Sequence, residues 1–151
     1  MDGISLRQTK FGRVIVSSDD KGICGLEFVD DLTELFDPGA EVPSELLEAT
    51  IAFVNGESSG VIPISLTGTD FQEEVWRTLM HVPRGATISY MELSKHIGKP
   101  KAVRAVANAC GANKIAVLIP CHRVIRSNGE LGGYAWGTDL KKDLLEFEKH
   151  N

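Results

Sequence analysis

The alternation of apolar and polar positions divides the chain near residue 68. Before that point the pattern is mostly of period two. Phe11–Ser17 alternates as a strand, Asp19-Asp20-Lys21-Gly22 has turn chemistry, and Ile23–Val29 returns, so a hairpin is expected. Asp30–Glu41 is acidic and irregular and reads as a surface connection. Pro43-Ser44-Glu45 opens a helical stripe of Leu46, Leu47, Thr50, Ile51 and Val54 that Gly56 ends. Val61–Leu66 reads as a short strand. After residue 68 the period becomes helical. Asp70 with Glu73 reads as a capping box before a stripe of Phe71, Val75, Trp76 and Leu79, and Pro83-Arg84-Gly85 is a turn. Ser89 with Glu92 is a second capping box, opening a helix to about Ile97. Gly98-Lys99-Pro100 turns the chain into another helix, Lys101–Cys110, closed by Gly111. Ile115–Ile119 is apolar and rich in β-branched residues, a buried strand that Pro120 stops. Ser127-Asn128-Gly129 is a turn, and a glycine-rich loop, Gly132–Gly137, follows. Thr138 caps a last helix, Asp139–Glu148, with Leu140, Leu144, Leu145 and Phe147 inward. The expected organisation is therefore an α/β part over 1–67 and a mostly helical part over 68–151.

Charge sharpens this division. The net charge of -5 argues at first against a nucleic-acid partner. Yet residues 76–151 carry 12 Lys and Arg against 6 Asp and Glu, while residues 1–75 carry 4 against 15. This is either a basic working face with an acidic companion, or two solvated surfaces of opposite sign. Composition is ordinary for a globular chain, 42% apolar and 25% charged. No apolar stretch approaches membrane-span length, and no signal-peptide pattern opens the chain. Three scattered cysteines, Cys24, Cys110 and Cys121, do not form a disulfide framework, which points to free thiols in the cytosol. The histidines, at 81, 96, 122 and 150, have no zinc spacing with them.

The densest chemistry lies at Pro120-Cys121-His122-Arg123-Val124. A thiol at the mouth of a buried strand, beside two potential cations, has a setting that lowers a cysteine pKa. The competing reading is a structural cysteine next to a surface charge pair. Two short helices joined by a glycine turn look like a helix-turn-helix, or like plain helical packing. Lys101 and Arg104 fall in the first turns of the second helix, among Ala102, Ala105, Ala107 and Ala109, which permit close approach to a surface. Tyr134 and Trp136 either wall a pocket for a flat ligand or anchor the loop to the core. Cys110 reads as a small core residue.

Together, Ile119–Val124, Gly133–Gly137, Gly98–Val106, Gly68–Gln72 and Val75-Trp76 resemble the O6-alkylguanine-DNA alkyltransferases (methylated-DNA–protein-cysteine methyltransferases), in their bacterial form. Phe11-Gly12 and Gly22-Ile23-Cys24 carry the N-terminal part of the likeness. The resemblance implies a ribonuclease-H-like N-terminal part and a C-terminal domain with a helix-turn-helix. It also implies irreversible transfer of an alkyl group from guanine O6, or thymine O4, to Cys121, once per molecule and with no cofactor. Because relatives that bind zinc use N-terminal Cys and His residues, and Cys24 stands alone there, no metal is expected. By the same resemblance His122 is the base and Glu148 its orienter, with Glu146 the competing carboxylate. Tyr90 is a proton donor near guanine N3, and Asn113 braces the helices against the active strand. The Ala135 N–H faces O6, and the Cys121 and Val124 carbonyls accept from the exocyclic amine. Tyr134 and Trp136 line the pocket. Arg104 enters the base stack while Tyr90, Lys101, Ala102 and Arg123 contact DNA. The implied partner is double-stranded DNA carrying O6-alkylguanine, bound by a monomer, with no membrane. Three other functions remain as competitors: a damage-sensing DNA-binding protein without chemistry, a helix-turn-helix regulator with an incidental thiol, and a thiol hydrolase or redox enzyme.

Overall fold

A computed structural model describes residues 2–30 and 39–150. The acidic connection expected over 30–41 lies largely outside the described residues. The chain forms two compact units, Met1–Thr67 with Lys114–Leu118, and Gly68–Asn113 with Ile119–Asn151.

The first unit is built on a three-stranded antiparallel sheet, ordered β1-β2-β3: β1 (Gly3–Thr9), β2 (Gly12–Asp19) and β3 (Gly22–Val29). The expected hairpin is β2–β3. The Asp19 carboxylate accepts from the backbone N–H of Lys21 at 2.8 Å and of Gly22 at 3.3 Å, an Asx turn that reverses the chain. At Gly22, φ is 147°, and a Cβ would meet the Pro63 carbonyl oxygen at 2.3 Å, so only glycine fits. Helix α1 (Ser44–Val54) begins after Pro43 and buries Leu47, Thr50, Ile51 and Val54.

Two expected strands are absent from this unit. The 61–66 stretch is reduced to one bridge, between Ile64 and Ile23, and Val61 is 96% exposed. The 115–119 run makes one bridge, between Ile115 and Leu26, and then turns. Val117 has φ 69°, outside the strand region, and the Leu118 N–H donates to the Ala116 carbonyl two residues back. The run is buried throughout, so its apolar character reflects burial rather than a ladder.

The second unit contains α2 (Asp70–Leu79), β4 (Ile88–Ser89), α3 (Tyr90–His96), α4 (Val103–Gly111), β5 (Val124–Ile125) and α5 (Thr138–Lys149). Thr69, not Asp70, caps α2: its hydroxyl accepts from the Gln72 N–H, and the Gln72 side chain accepts from the Thr69 N–H. The Ser89–Glu92 box at α3 forms as expected. Helix α4 starts two residues later than expected, which leaves Lys101 and Ala102 before its first turn. Thr138 is the first residue of α5 rather than its cap. The core takes Val75, Leu79, Leu93, Val106 and Leu144, and the Trp76 indole N–H donates to the Ala109 carbonyl at 2.9 Å. Strands β4 and β5 pair in parallel, Ile88 with Val124 and Ser89 with Ile125, and so bring the starts of α3 and of the 124–137 loop together. The inward stripe of α5 is Lys141, Leu144 and Glu148, with Leu140, Leu145 and Phe147 only half-buried. Among the described residues no helix is long and apolar enough to cross a membrane.

Candidate active site

Pro120 has no N–H to continue a ladder, and the next three residues, Cys121–Arg123, form a single 3-10 turn. The turn is held from behind. The buried Asn113 side chain donates to the Ile119 carbonyl at 3.0 Å, and the Cys121 N–H donates to that same carbonyl at 2.8 Å. Cys121, His122 and Arg123 are all buried. The Cys121 side chain opens on a cavity of about 310 Å³ lined by Tyr90, Ala107, Cys110, Gly111, Cys121, Gly133, Tyr134 and Ala135. Trp136 and Val124, expected in its wall, are not among these residues. Trp136 instead packs edge-on against Tyr134, with ring centres 5.3 Å apart, and supports the pocket from one residue further out.

Behind the thiol lies a buried polar cluster. His122 Nε2 is 2.8 Å from Glu148 Oε2. Arg123 donates to the same carboxylate twice, from Nε at 2.9 Å and from Nη2 at 2.8 Å, and from Nη1 to the Val82 carbonyl at 2.7 Å. Arg123 is committed to the interior, where it neutralises a carboxylate that would otherwise be buried alone. Burial pushes the Glu148 carboxyl up, but the hydrogen bonds from His122 and Arg123 outweigh it and hold the group down at about 2. An ionised carboxylate only accepts, so His122 carries its proton on Nε2 and presents a bare Nδ1. That Nδ1 is buried with no protein partner, as is the Tyr134 hydroxyl. Burial lowers the His122 pKa, so the ring is neutral at neutral pH and able to accept a proton. Glu146, the competing carboxylate, is exposed and lies 3.7 Å from His150, which ends its helix.

The thiol itself departs from expectation. Burial pushes Cys121 well above the ordinary cysteine value, and a hydrogen bond with Cys110 adds to the rise, while Asn113 and Lys141 oppose it. The two flanking cations do not lower it, because Arg123 faces Glu148 and His122 is neutral. At rest the group is a thiol, and nucleophilicity requires a base. Tyr90, at the start of α3, is pushed by burial up to about 12 and remains a hydrogen-bond donor across the neutral range.

Arg104 is exposed on α4 beside Ala105 and Asn108. With Tyr90, Val103, Ala107, Arg126, Gly132 and Gly133 it lines a shallow depression, which shares Tyr90, Ala107 and Gly133 with the thiol cavity. Lys101 is exposed just before the helix. Three residues of this neighbourhood escape sequence reasoning: Cys110 in the cavity wall, Arg126 in the depression, and the fully buried Lys141. Phasing α5 on Glu148 exposes the last, since 141, 144 and 148 share one helical face.

The sequence pattern of 6-O-methylguanine DNA methyltransferase, DNA binding domain, matches residues 70–150. The chain is 41% identical over 160 residues to the bifunctional transcriptional activator/DNA repair enzyme Ada of Escherichia coli (strain K12), an alignment covering 97% of this chain and 45% of that protein. It is 36% identical over 155 residues to the methylated-DNA–protein-cysteine methyltransferase of Methanosarcina barkeri, covering 95% of each. The crystal structure of Mycobacterium tuberculosis OGT in complex with DNA superimposes with a TM-score of 0.82 at 36% identity, over 96% of this chain and 91% of that one. The chain spans about half the length of several curated relatives that it matches, Ada among them. A match that takes in more than half of the residues, together with a relative aligned end to end, places the chain in the 6-O-methylguanine DNA methyltransferase family.

Proposed function

We propose that this protein repairs DNA by direct reversal, moving the alkyl group of O6-alkylguanine onto Cys121. The observation that carries this reading is a cysteine in the wall of a cavity large enough for a base, backed by a buried His122–Glu148 pair. Displacement at an alkyl carbon needs a soft nucleophile, and thiolate is the best one a protein has. His122 takes the Cys121 proton through a water held between Nδ1 and the Tyr134 hydroxyl, the two buried groups that lack a protein partner. Glu148 fixes the tautomer that makes this possible and stabilises the imidazolium. The thiolate attacks the alkyl carbon, the S–C bond forms as the C–O6 bond breaks, and the electron pair leaves on the guanine. Tyr90 supplies a proton at N3, the Ala135 N–H faces O6, and the Cys121 carbonyl accepts from the exocyclic amine. A thioether has no route back to thiol, so each molecule acts once.

A base within a duplex cannot reach this cavity and must leave the stack. Helices α3 and α4 act as a helix-turn-helix, with Arg104 filling the gap and Lys101, Ala102 and Tyr90 against the strand. The first unit, ribonuclease-H-like, supports the second and stays away from DNA because of its acidity. The protein works as a monomer in the cytosol without cofactor or metal. Cys121→Ser tests the reading against damage sensing without chemistry. The variant is expected to bind an O6-methylguanine duplex as the parent does and to leave its methyl group in place. Loss of the methyl group with Cys121→Ser would overturn the assignment.

A further inference from the structure

Lys141 has no solvent exposure, a state in which lysine is rarely found unless partnered. All three of its ammonium hydrogens are engaged. Nζ donates to the carbonyls of Val124 at 2.6 Å, Leu131 at 2.5 Å and Gly133 at 3.0 Å. These acceptors belong to separate pieces of the site. Val124 directly follows the turn that carries Cys121, and Leu131 and Gly133 begin the loop whose Tyr134 and Ala135 line the cavity. Four titratable groups face the ammonium: Cys110 from α4, Cys121 from its turn, Tyr90 from α3 with its ring centre 5.9 Å away, and His122. Burial pushes Lys141 down to about 8, so the buried charge opposes folding rather than favouring it. Three convergent carbonyls need three hydrogens on one nitrogen, which only the charged ammonium supplies.

We propose that Lys141 is a positioning residue of the alkyl-transfer site, its single ammonium tying the Cys121 turn to the pocket loop and holding a positive charge beside that turn. That charge favours the Cys121 thiolate. This rests on the repair function proposed above. A consequence follows for pH. Once Lys141 loses its proton, the amine has two hydrogens for three carbonyls and no charge to offer, so transfer slows above about pH 8 instead of rising with thiolate formation.

The test compares wild type, Lys141→Met and Lys141→Arg in two readouts: single-turnover methyl loss from an O6-methylguanine duplex, and the pH profile of Cys121 carbamidomethylation by iodoacetamide without DNA, located by peptide mapping. Lys141→Met leaves three carbonyls without their donor, so it is expected to melt lower than wild type and to transfer methyl at least ~10-fold more slowly. Its iodoacetamide profile should move up by on the order of one pH unit, the tenfold equivalent of one pKa unit. Lys141→Arg keeps the charge but not a geometry for three convergent carbonyls, so it should recover the profile and not the rate. A Lys141→Met profile superimposed on wild type would overturn the proposal. So would wild-type transfer that climbs steadily from pH 8 to 10, a measurement that needs no variant to fold. If wild type takes up no methyl while the Lys141→Met profile still shifts, the repair reading fails and the charge effect stands.

Discussion

Glu148→Gln removes one charge and changes almost no volume, and its effect can be sized in two ways. The folded carboxyl titrates near 2 and an ordinary one at 4.5, a difference of about 2.5 units, or roughly 3 kcal/mol of stabilisation at neutral pH. The side chain is only 4% exposed, so solvent screening takes little from this figure. Counting contacts gives the same answer. The carboxylate accepts three hydrogen bonds, and an amide must turn an NH2 towards either the Arg123 Nε–H or the pair formed by His122 Nε2 and Arg123 Nη2. Arg123 then keeps its charge inside the protein without neutralisation, which typically costs ~3–5 kcal/mol. The pH dependence is a second signature. The folded pKa is depressed, so the contribution is whole above about pH 4.5 and is lost as pH falls through about 2. Denaturant unfolding of both proteins at pH 7 and at steps down to about pH 3 measures this directly. The gap should be roughly 3 kcal/mol at pH 7 and shrink steadily on acidification. Methyl transfer should fall further than stability implies, by about 10²–10⁴-fold, because the His122 tautomer is no longer enforced. Equal stabilities at pH 7, or a gap that does not change with pH, would refute the reasoning.

Arg104→Ala should slow repair of duplex DNA far more than reaction with the free modified base, since its role is to hold a vacated place in the stack; equal losses in the two rate measurements would exclude that role. Trp136→Gly should speed reaction with an O6-benzyl adduct, because Tyr134 loses the ring that braces it 5.3 Å away and the pocket can widen; no gain in single-turnover rate counts against this. Asn113→Ala should destabilise the chain by about 1–3 kcal/mol in denaturant unfolding, as a buried side-chain donor to the Ile119 carbonyl disappears, and should raise the pH at which iodoacetamide modifies Cys121, because Asn113 otherwise lowers that pKa.

Legibility in the sequence followed how local each signal was. The Ser89–Glu92 box and the Asp19 turn depend on neighbours within three residues, and both stand as read. The α2 cap slipped by one place because Thr69 and Asp70 are both good caps, and Gln72 and Glu73 both reach back. Strand β1 was invisible because its buried positions are Gly3, Ser5 and Thr9, while Ile4 and Leu6 are half-exposed, the reverse of the usual alternation. The 115–119 run misled for a related reason: burial on all sides makes a turn look like a core strand. At the site, the resemblance pointed to Cys121, His122 and Glu148, and the geometry brings the last two to 2.8 Å. The inward turn of Arg123 to Glu148 was not legible, since sequence adjacency to Cys121 says nothing about which way a guanidinium turns. Lys141 was missed because a lysine next to Lys142 and Asp143 on a charged helix reads as solvent-facing. The three carbonyls that converge on it, from positions 8 to 17 residues earlier in the chain, reveal its place.

The central claim is a single-use transfer to one sulfur. Intact-mass spectrometry of the protein mixed with excess O6-methylguanine duplex tests it most directly. The account predicts a gain of one methyl in place of one hydrogen, saturating at one per molecule and mapped by peptide analysis to Cys121, with no gain in Cys121→Ser. A protein that binds the modified duplex yet keeps its mass, or one that gains methyl at another residue, would contradict it.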